Sequence, residues 1–326
     1  MSCSIIICTY NGKNRLERSL EHVLSQVYDL PYEVLLIDNA STDGTSEWVG
    51  DWLLTQSTDV SVRIIHERNP GLSNARLRGI KESVYPIILF CDDDNWLSSD
   101  YLQKGTSLMK LNQKIGVLGG CGKAEFESEK PDWFDQYSHS YAVGSSGRKS
   151  GVQKQGSWVY GAGCFFRKEA FLKLFDTGWI SLLSDRKGNS LTSGGDVELC
   201  YAVQLIGYEI WFEPILTFKH WIESRRLTWD YYLRLKEGIA SSFPLLQVYE
   251  VLFSRRPDLV NFRQIVRNRF FKGSLVFFKQ YILNFFDPSP ERELALKINY
   301  AIVKGYLNNR NKAIKGFKSL EKLTFP

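Results

Sequence analysis

Ser4-Ile5-Ile6-Ile7-Cys8 is an almost wholly apolar run, the pattern of a strand covered on both faces. Asn11-Gly12 breaks it, and Arg15–Val27 then carries Leu16, Leu20, Val23, Leu24 and Val27, a helical spacing. Val34-Leu35-Leu36-Ile37 makes a second apolar run. The turn residues Ser41-Thr42-Asp43-Gly44 follow, and a helix is predicted over Thr45–Leu54. Val62–His66 reads as a third strand and Leu72–Ser83, after Pro70-Gly71, as a helix. Pro86–Cys91 reads as a fourth strand, running into Asp92-Asp93-Asp94. This alternation predicts an α/β chain with a mainly parallel sheet, helices on both faces, and a ligand crevice at the carboxyl ends of the strands.

Beyond Gly122 the pattern loosens. Lys123–Gly156 is polar, rich in Gly and Ser, and reads as a long loop region over the site. Ser157–Phe166 is apolar with Gly161-Ala162-Gly163 inside it, and Asp185–Gly195 reads as a flexible loop. Asp196–Ile206 has helical spacing with Gly207 as its cap, and Glu209–Phe212 and Ile215–Phe218 read as short strands separated by Pro214. From about Thr228 the chain reads as helical and basic, with one or two terminal helices over Glu291–Leu323.

Charge sharpens that division. Residues 1–224 hold 22 Lys+Arg against 28 Asp+Glu, whereas residues 225–326 hold 19 against 8. A basic tail on an acidic body points to an anionic partner surface. Between Arg255 and Phe286 the bases Arg255, Arg256, Arg263, Arg267, Arg269, Lys272 and Lys279 interleave with large apolar residues. That composition suits a helix in a membrane interface or one packed on the body, and it lacks the folds and aromatic platforms of nucleic-acid binding. The six cysteines form no C-x-x-C pair and sit mostly in apolar runs, as buried free thiols of a reducing compartment do. The strand-like opening predicts no signal peptide, and no apolar run is long enough for a spanning helix.

Three polar clusters fall at predicted strand ends: Thr9-Tyr10-Asn11, Asp38-Asn39 and the Asp92-Asp93-Asp94 triplet. Adjacent carboxylates repel one another, and a divalent cation carrying a diphosphate is their natural counterpart. Asp38 closes a buried strand and needs a partner such as a base edge or a ribose hydroxyl, whereas turn chemistry alone accounts for Asp43. No G-x-G-x-x-G follows the first strand, which argues against a dinucleotide-dependent dehydrogenase. The lone glycine in Thr9-Tyr10-Asn11-Gly12-Lys13 argues against a nucleotidyltransferase loop.

In order along about residues 4–222 come Cys8-Thr9-Tyr10-Asn11, Asp38-Asn39-Ala40-Ser41-Thr42-Asp43-Gly44-Thr45 and Asn69-Pro70-Gly71-Leu72-Ser73-Asn74-Ala75-Arg76. They are followed by Asp92-Asp93-Asp94-Asn95-Trp96, Gly161-Ala162-Gly163, Gly195-Asp196-Val197-Glu198-Leu199 and His220. In this order they resemble the family 2 glycosyltransferases, inverting enzymes of GT-A fold that use nucleotide-sugar donors. The resemblance implies a GT-A domain over 1–224, with a donor half (1–122) and an acceptor half (123–224), followed by a basic helical region over 225–326. It implies hexosyl-type transfer from a nucleotide-diphosphate donor, a UDP-sugar by family habit, to a hydroxyl of a glycan or lipid-linked acceptor.

The setting so implied is polysaccharide assembly in the cytoplasm, at the inner face of a membrane touched peripherally by the basic tail. Thr9, Tyr10, Asn11, Asp38, Asn69, Arg76, Asp92 and Asp93 would line the donor nucleotide, with Asp38 on the base and Arg76 toward the phosphates. Asp94 and His220 would hold Mn2+ or Mg2+. Asp196 would be the general base, its carboxylate form favoured by the helix it begins. Trp158, Gly161, Gly163 and Glu198 would face the acceptor, and Tyr160 and Trp179 are further aromatic faces for a sugar or for the core. One departure stands out: most relatives carry Glu immediately before the base, and this chain has Gly195. The alternative it leaves open is a chain that binds a nucleotide sugar, or acts as a scaffold, without turnover.

Overall fold

The computed structural model describes residues 1–186, 188, 191–254 and 258–323. Arg255 and Arg256 of the basic tail, and part of the predicted 185–195 loop, lie outside the described residues. In chain order the first half contains β1 (Cys3–Thr9), α1 (Leu16–Leu24), β2 (Tyr32–Asp38), α2 (Thr45–Leu54), β3 (Ser61–His66), α3 (Leu72–Glu82), β4 (Ile87–Asp92), β5 (Asn95–Leu97), α4 (Tyr101–Leu111) and β6 (Ile115–Phe126). There follow α5 (Phe134–Tyr137), β7 (Gly151–Val152), β8 (Cys164–Arg167), α6 (Lys168–Asp176), α7 (Gly195–Leu205), β9 (Glu209–Ile222), α8 (Trp229–Ser254), α9 (Leu259–Phe286) and α10 (Pro290–Leu320).

The strands form one sheet in the order β3-β2-β1-β4-β8-β6-β9-β5, with β7 on β9. Strands β3, β2, β1 and β4 are mutually parallel, and β8 enters antiparallel between β4 and β6. The two-faced burial predicted for the first strands is observed. Ile6, Leu35, Ile37, Ile88 and Phe90 enter one apolar cluster. Ile5, Ile7, Val34, Leu36, Ile87 and Leu89 enter the other, with Leu16 and Leu20 of α1. Each such side chain contributes about 1.5–3 kcal/mol by leaving water. At Gly79 of α3 a Cβ would lie 2.5 Å from Ile6 Cγ2, so glycine lets α3 seat on β1 and brings Arg76 to the strand end.

Two readings change. The stretch from Glu209 to Ile222 is one strand, not two. Between the pairs Gly119↔Phe212 and Cys121↔Thr217 the register slips, and Pro214 sits in that bulge, where no ladder N–H is needed. The region from Lys123 also begins as strand, because β6 continues to Phe126 beside β9. Helix α8 packs its Leu245, Val248, Tyr249 and Leu252 into the cluster that holds Phe166 and Leu199. All six cysteines are free.

Candidate active site

The carboxyl ends of β1, β2 and β4 lie side by side, since Thr9 pairs with Asp38 and Cys8 with Asp92 in the parallel ladders. Asp38 is buried; Oδ1 accepts from the Ser41 amide (2.9 Å), and Oδ2 accepts from the Ser46 hydroxyl and faces His66 Nδ1 at 3.7 Å. A carboxylate oxygen accepts twice, so Asp38 keeps capacity for a ligand N–H. Asn11 Oδ1 accepts from the Thr42 amide at 2.8 Å, which joins the two loops, while Tyr10 beside it is exposed. Asn69 comes to the same edge through Asn39, a residue the sequence had left without a role. Asn39 Nδ2 donates to the carbonyls of Glu67 (3.1 Å) and Asn69 (2.8 Å), and its Oδ1 accepts from Gly71 N (2.7 Å).

The three consecutive aspartates are resolved one by one. Asp93 accepts from the Thr9 hydroxyl (2.6 Å) and from Arg15 through Nε (2.9 Å) and Nη2 (2.7 Å), a bidentate pair. Thr9 and Asp93, both expected on the nucleotide, thus bond each other. Asp92 has no such cation in contact among the described residues. Burial, and then the neighbouring Asp94 carboxylate, raise it to about 6, against the pull of Arg76 and His220. Asp94 is driven the other way. Burial opposes its ionisation, but His220, Arg226 and Arg15 hold it well below the usual carboxylate range.

Asp94 Oδ2 lies 3.2 Å from His220 Nε2 and accepts from Arg226 Nη1 at 2.7 Å. The register of β5 on β9, Asn95 opposite His220, creates the first contact. His220 Nδ1 donates to the Tyr141 carbonyl (2.6 Å), because a carbonyl can only accept. With Nδ1 so committed, Nε2 can meet the carboxylate oxygen either as an imidazolium N–H or, in the neutral ring, through a cation held between the two. The Asp94 carboxylate is a donor suited to Mn2+ or Mg2+, and the imidazole, braced by a backbone carbonyl, would stand beside it as a second ligand. Among the described residues no three His, Cys, Asp or Glu gather around one point, so phosphate and water would complete such a shell. Arg226, which the sequence did not single out, is buried and also faces His220 Nε2, at 3.5 Å.

Asp196 stands in the first turn of α7, near the same Arg76 that acts on Asp92. Its Oδ2 accepts from Gly161 N (3.0 Å) and its Oδ1 from Val197 N (2.9 Å). A Cβ on Gly161 would lie 2.9 Å from Asp196 Cβ and 3.0 Å from Arg76 Nη2, so the glycine allows Asp196, Arg76 and the backbone to converge. Gly163 has φ +61° and gives its carbonyl to the Tyr101 hydroxyl (2.5 Å). Arg76 is buried and bonds Asp185 at 2.9 Å. The Asp185 carboxylate also fills the space a side chain at 195 would need: a Cβ on Gly195 would meet Asp185 Oδ2 at 2.3 Å. A carboxylate therefore does stand beside Asp196, delivered by the preceding loop. Burial raises the Asp185 carboxyl, against the pull of Arg76.

Other residues expected on the acceptor side divide. Glu198 is turned into the core, because two residues along a helix lie about 200° apart and leave it on the face away from Asp196. It accepts from the amides of Leu182 (2.5 Å) and Leu183 (3.1 Å) and from the hydroxyls of Ser181 (2.5 Å) and Tyr249 (2.8 Å). Trp179 is core, donating to the Tyr249 hydroxyl at 3.1 Å. Trp158 is half-buried and Tyr160 buried, with the Arg148 guanidinium 4.5 and 5.0 Å from their ring centres. A separate cleft of about 450 Å³ lies between α8, α10 and the residues Leu182, Leu183, Ser184, Leu191 and Thr192. None of the expected donor residues lines it, and Ser242 on its wall would meet a Cβ on Gly194 at 3.5 Å, one residue from the Gly195-Asp196 turn.

A mainly parallel sheet with its carboxylates gathered at the strand ends, and an acidic helix start near the same Arg76, defines a GT-A type glycosyltransferase fold. The sequence profile described as glycosyl transferase family 2 matches residues 4–175, more than half of the chain, and the chain belongs to that family. The uncharacterized glycosyltransferase EpsJ of Bacillus subtilis is 32% identical over 127 residues, 39% of this chain and 35% of its own length. Glycosyltransferase AglE of Haloferax volcanii is 32% identical over 118 residues, 36% of this chain and 38% of its own. The alignments thus span little more than a third of either relative.

Among solved structures, the mannosyltransferase PcManGT of Pyrobaculum calidifontis, in complex with GDP-Man and Mn2+, matches with TM-score 0.56 at 17% identity over 94% of this chain and 86% of its own. S. aureus TarS 1–349 matches with TM-score 0.52 at 15% identity over 99% of this chain and 90% of its own. At these identities the likeness is one of fold.

Proposed function

We propose that this protein is an inverting glycosyltransferase that moves a sugar from a nucleotide-diphosphate donor, a UDP-sugar, to a hydroxyl of a glycan or lipid-linked acceptor. The observation that carries the reading is the convergence on one crevice of Asp38, Asp92 and Asp94 at the strand ends, and of Asp196 with Arg76 at Gly161. Asp38 takes the base, Asp92 the ribose or sugar, and Arg76 faces the diphosphate. Asp196 accepts the acceptor hydroxyl's proton as its oxygen attacks the anomeric carbon. Asp94 and His220 would hold Mn2+ or Mg2+, which when bound would supply charge to the departing diphosphate. The GDP-Man and Mn2+ of the mannosyltransferase neighbour are in keeping with this. A GT-A domain over 1–224, followed by a helical region over 225–326, belongs to the same proposal. Gly195 favours a chain without turnover only while its neighbourhood lacks a carboxylate, and Asp185 provides one.

Arg226 on Asp94 favours a second reading, in which the guanidinium neutralises the leaving group without a metal ion. Donor hydrolysis by the full chain separates the cases. Asp196→Asn loses about 10²–10⁴-fold in turnover while nucleotide binding is retained. Full activity in Asp196→Asn would remove the base assignment. EDTA abolishes turnover if Asp94 and His220 hold a metal. Turnover that survives EDTA and falls in Arg226→Gln assigns the charge to Arg226.

A further inference from the structure

Helix α9 is held to the body along one side only. Phe262 and Val266 are buried, Phe262 stacks on Phe317 of α10 (4.3 Å between ring centres), and Phe277 meets Tyr300 of α10 at 5.9 Å. Away from that seam Phe271, Leu275, Phe278, Ile282 and Phe285 follow one another at intervals of three and four residues and form a single stripe. All five are more than half exposed, from 53% at Ile282 to 72% at Phe285. Such a continuous apolar stripe marks an interaction surface. Lys272 and Lys279 lie about a quarter turn to one side of it. With Arg263, Arg267 and Arg269 they are exposed, and α9 contains no Asp or Glu.

We propose that this face of α9 docks on an anionic phospholipid surface. An exposed apolar stripe edged by bases, with no acid on the helix, matches the acyl–headgroup boundary of such a bilayer in both polarity and charge. Charge argues against a second copy of the same face, since two such helices would bring like charges together. No helix among the described residues is long and apolar enough to cross a membrane, so α9 lies in the interface plane. The surface stands apart from the donor crevice, and its test does not depend on the transfer reaction.

Vesicle flotation of the full chain tests it, with phosphatidylcholine vesicles and with vesicles that also contain phosphatidylglycerol. The protein is expected to float with the anionic vesicles only and to be released as salt rises. Lys272→Gln and Lys279→Gln each lower vesicle affinity about fivefold. The triple variant Leu275→Ser/Phe278→Ser/Ile282→Ser lowers it at least about tenfold. These positions are exposed, so an unchanged melting temperature and unchanged nucleotide binding show that each variant is folded. Equal flotation with neutral vesicles, or vesicle affinity indifferent to both sets of substitutions, would overturn the proposal. So would a dimer in light scattering that the triple variant abolishes while vesicles bind nothing.

Discussion

Asp92, Asp93 and Asp94 are neighbours in the chain and end in three different electrostatic situations, because each is met by residues from a different distance. Arg15 reaches Asp93 across 78 positions, and Arg226 reaches Asp94 across 132. Asp92 has no ion pair among the described residues, and its raised carboxyl has a measurable consequence. The folded state keeps a proton that the unfolded chain releases near 3.8, so this group's contribution is present below that pH and is lost as pH rises through about 6. Without donor or divalent cation, Asp92→Asn therefore gains about 1–3 kcal/mol more relative to the parent at pH 8 than at pH 3. Thermal unfolding at the two pH values reads the difference, and an equal gain at both would show that Asp92 ionises normally.

The strand-end residues Asp38, Asp92 and Asp94, and Asp196 at its helix start, were legible because each stands where a hydrophobic pattern stops. Arg15, Asp185 and Arg226 were not, since nothing local marks a residue whose partner lies so far along the chain. For Asp185 the one hint was negative: a glycine at 195 leaves room that something else must fill.

At the scale of elements, the parallel core could be read because its strands are buried on both faces and its helices carry a strict apolar spacing. Strand β6 could not. Gly119, Gly120 and Gly122 interrupt its apolar run, and in the sheet they are contact points: a Cβ would lie 2.4 Å from Val159 Cβ at Gly119 and 2.3 Å from the Ala142 carbonyl at Gly122. Strand β9 was split at Pro214 because a bulge is invisible in one strand's sequence alone. Glu198 shows a cost of similar kind, since its spacing from Asp196 says which face it leaves and not what it meets. It is the clamp between α7, residues 181–183 and α8, so Glu198→Ala removes one acceptor group from two amides and two hydroxyls. The expected loss is about 2–4 kcal/mol in thermal unfolding, with faster hydrogen exchange at Leu182 and Leu183. Unchanged exchange at those two amides would mean the segment is held by other contacts.

At the scale of the whole molecule, charge and packing divide differently. The acidic balance of 1–224 and the basic balance of 225–326 suggest two parts. The apolar cluster nevertheless runs from the sheet through α7 and α8 to Phe262 and Phe317. The helices brace the wall that carries Asp196 on one side and offer α9 outward on the other. The account stands or falls on the crevice holding a nucleotide diphosphate. The most direct measurement is the melting temperature of the full chain with UDP, dTDP and GDP, each with and without Mn2+. The account predicts a rise of a few degrees with UDP, larger with Mn2+, and lost in Asp38→Ala. No rise with any of the three, with or without the cation, would contradict it.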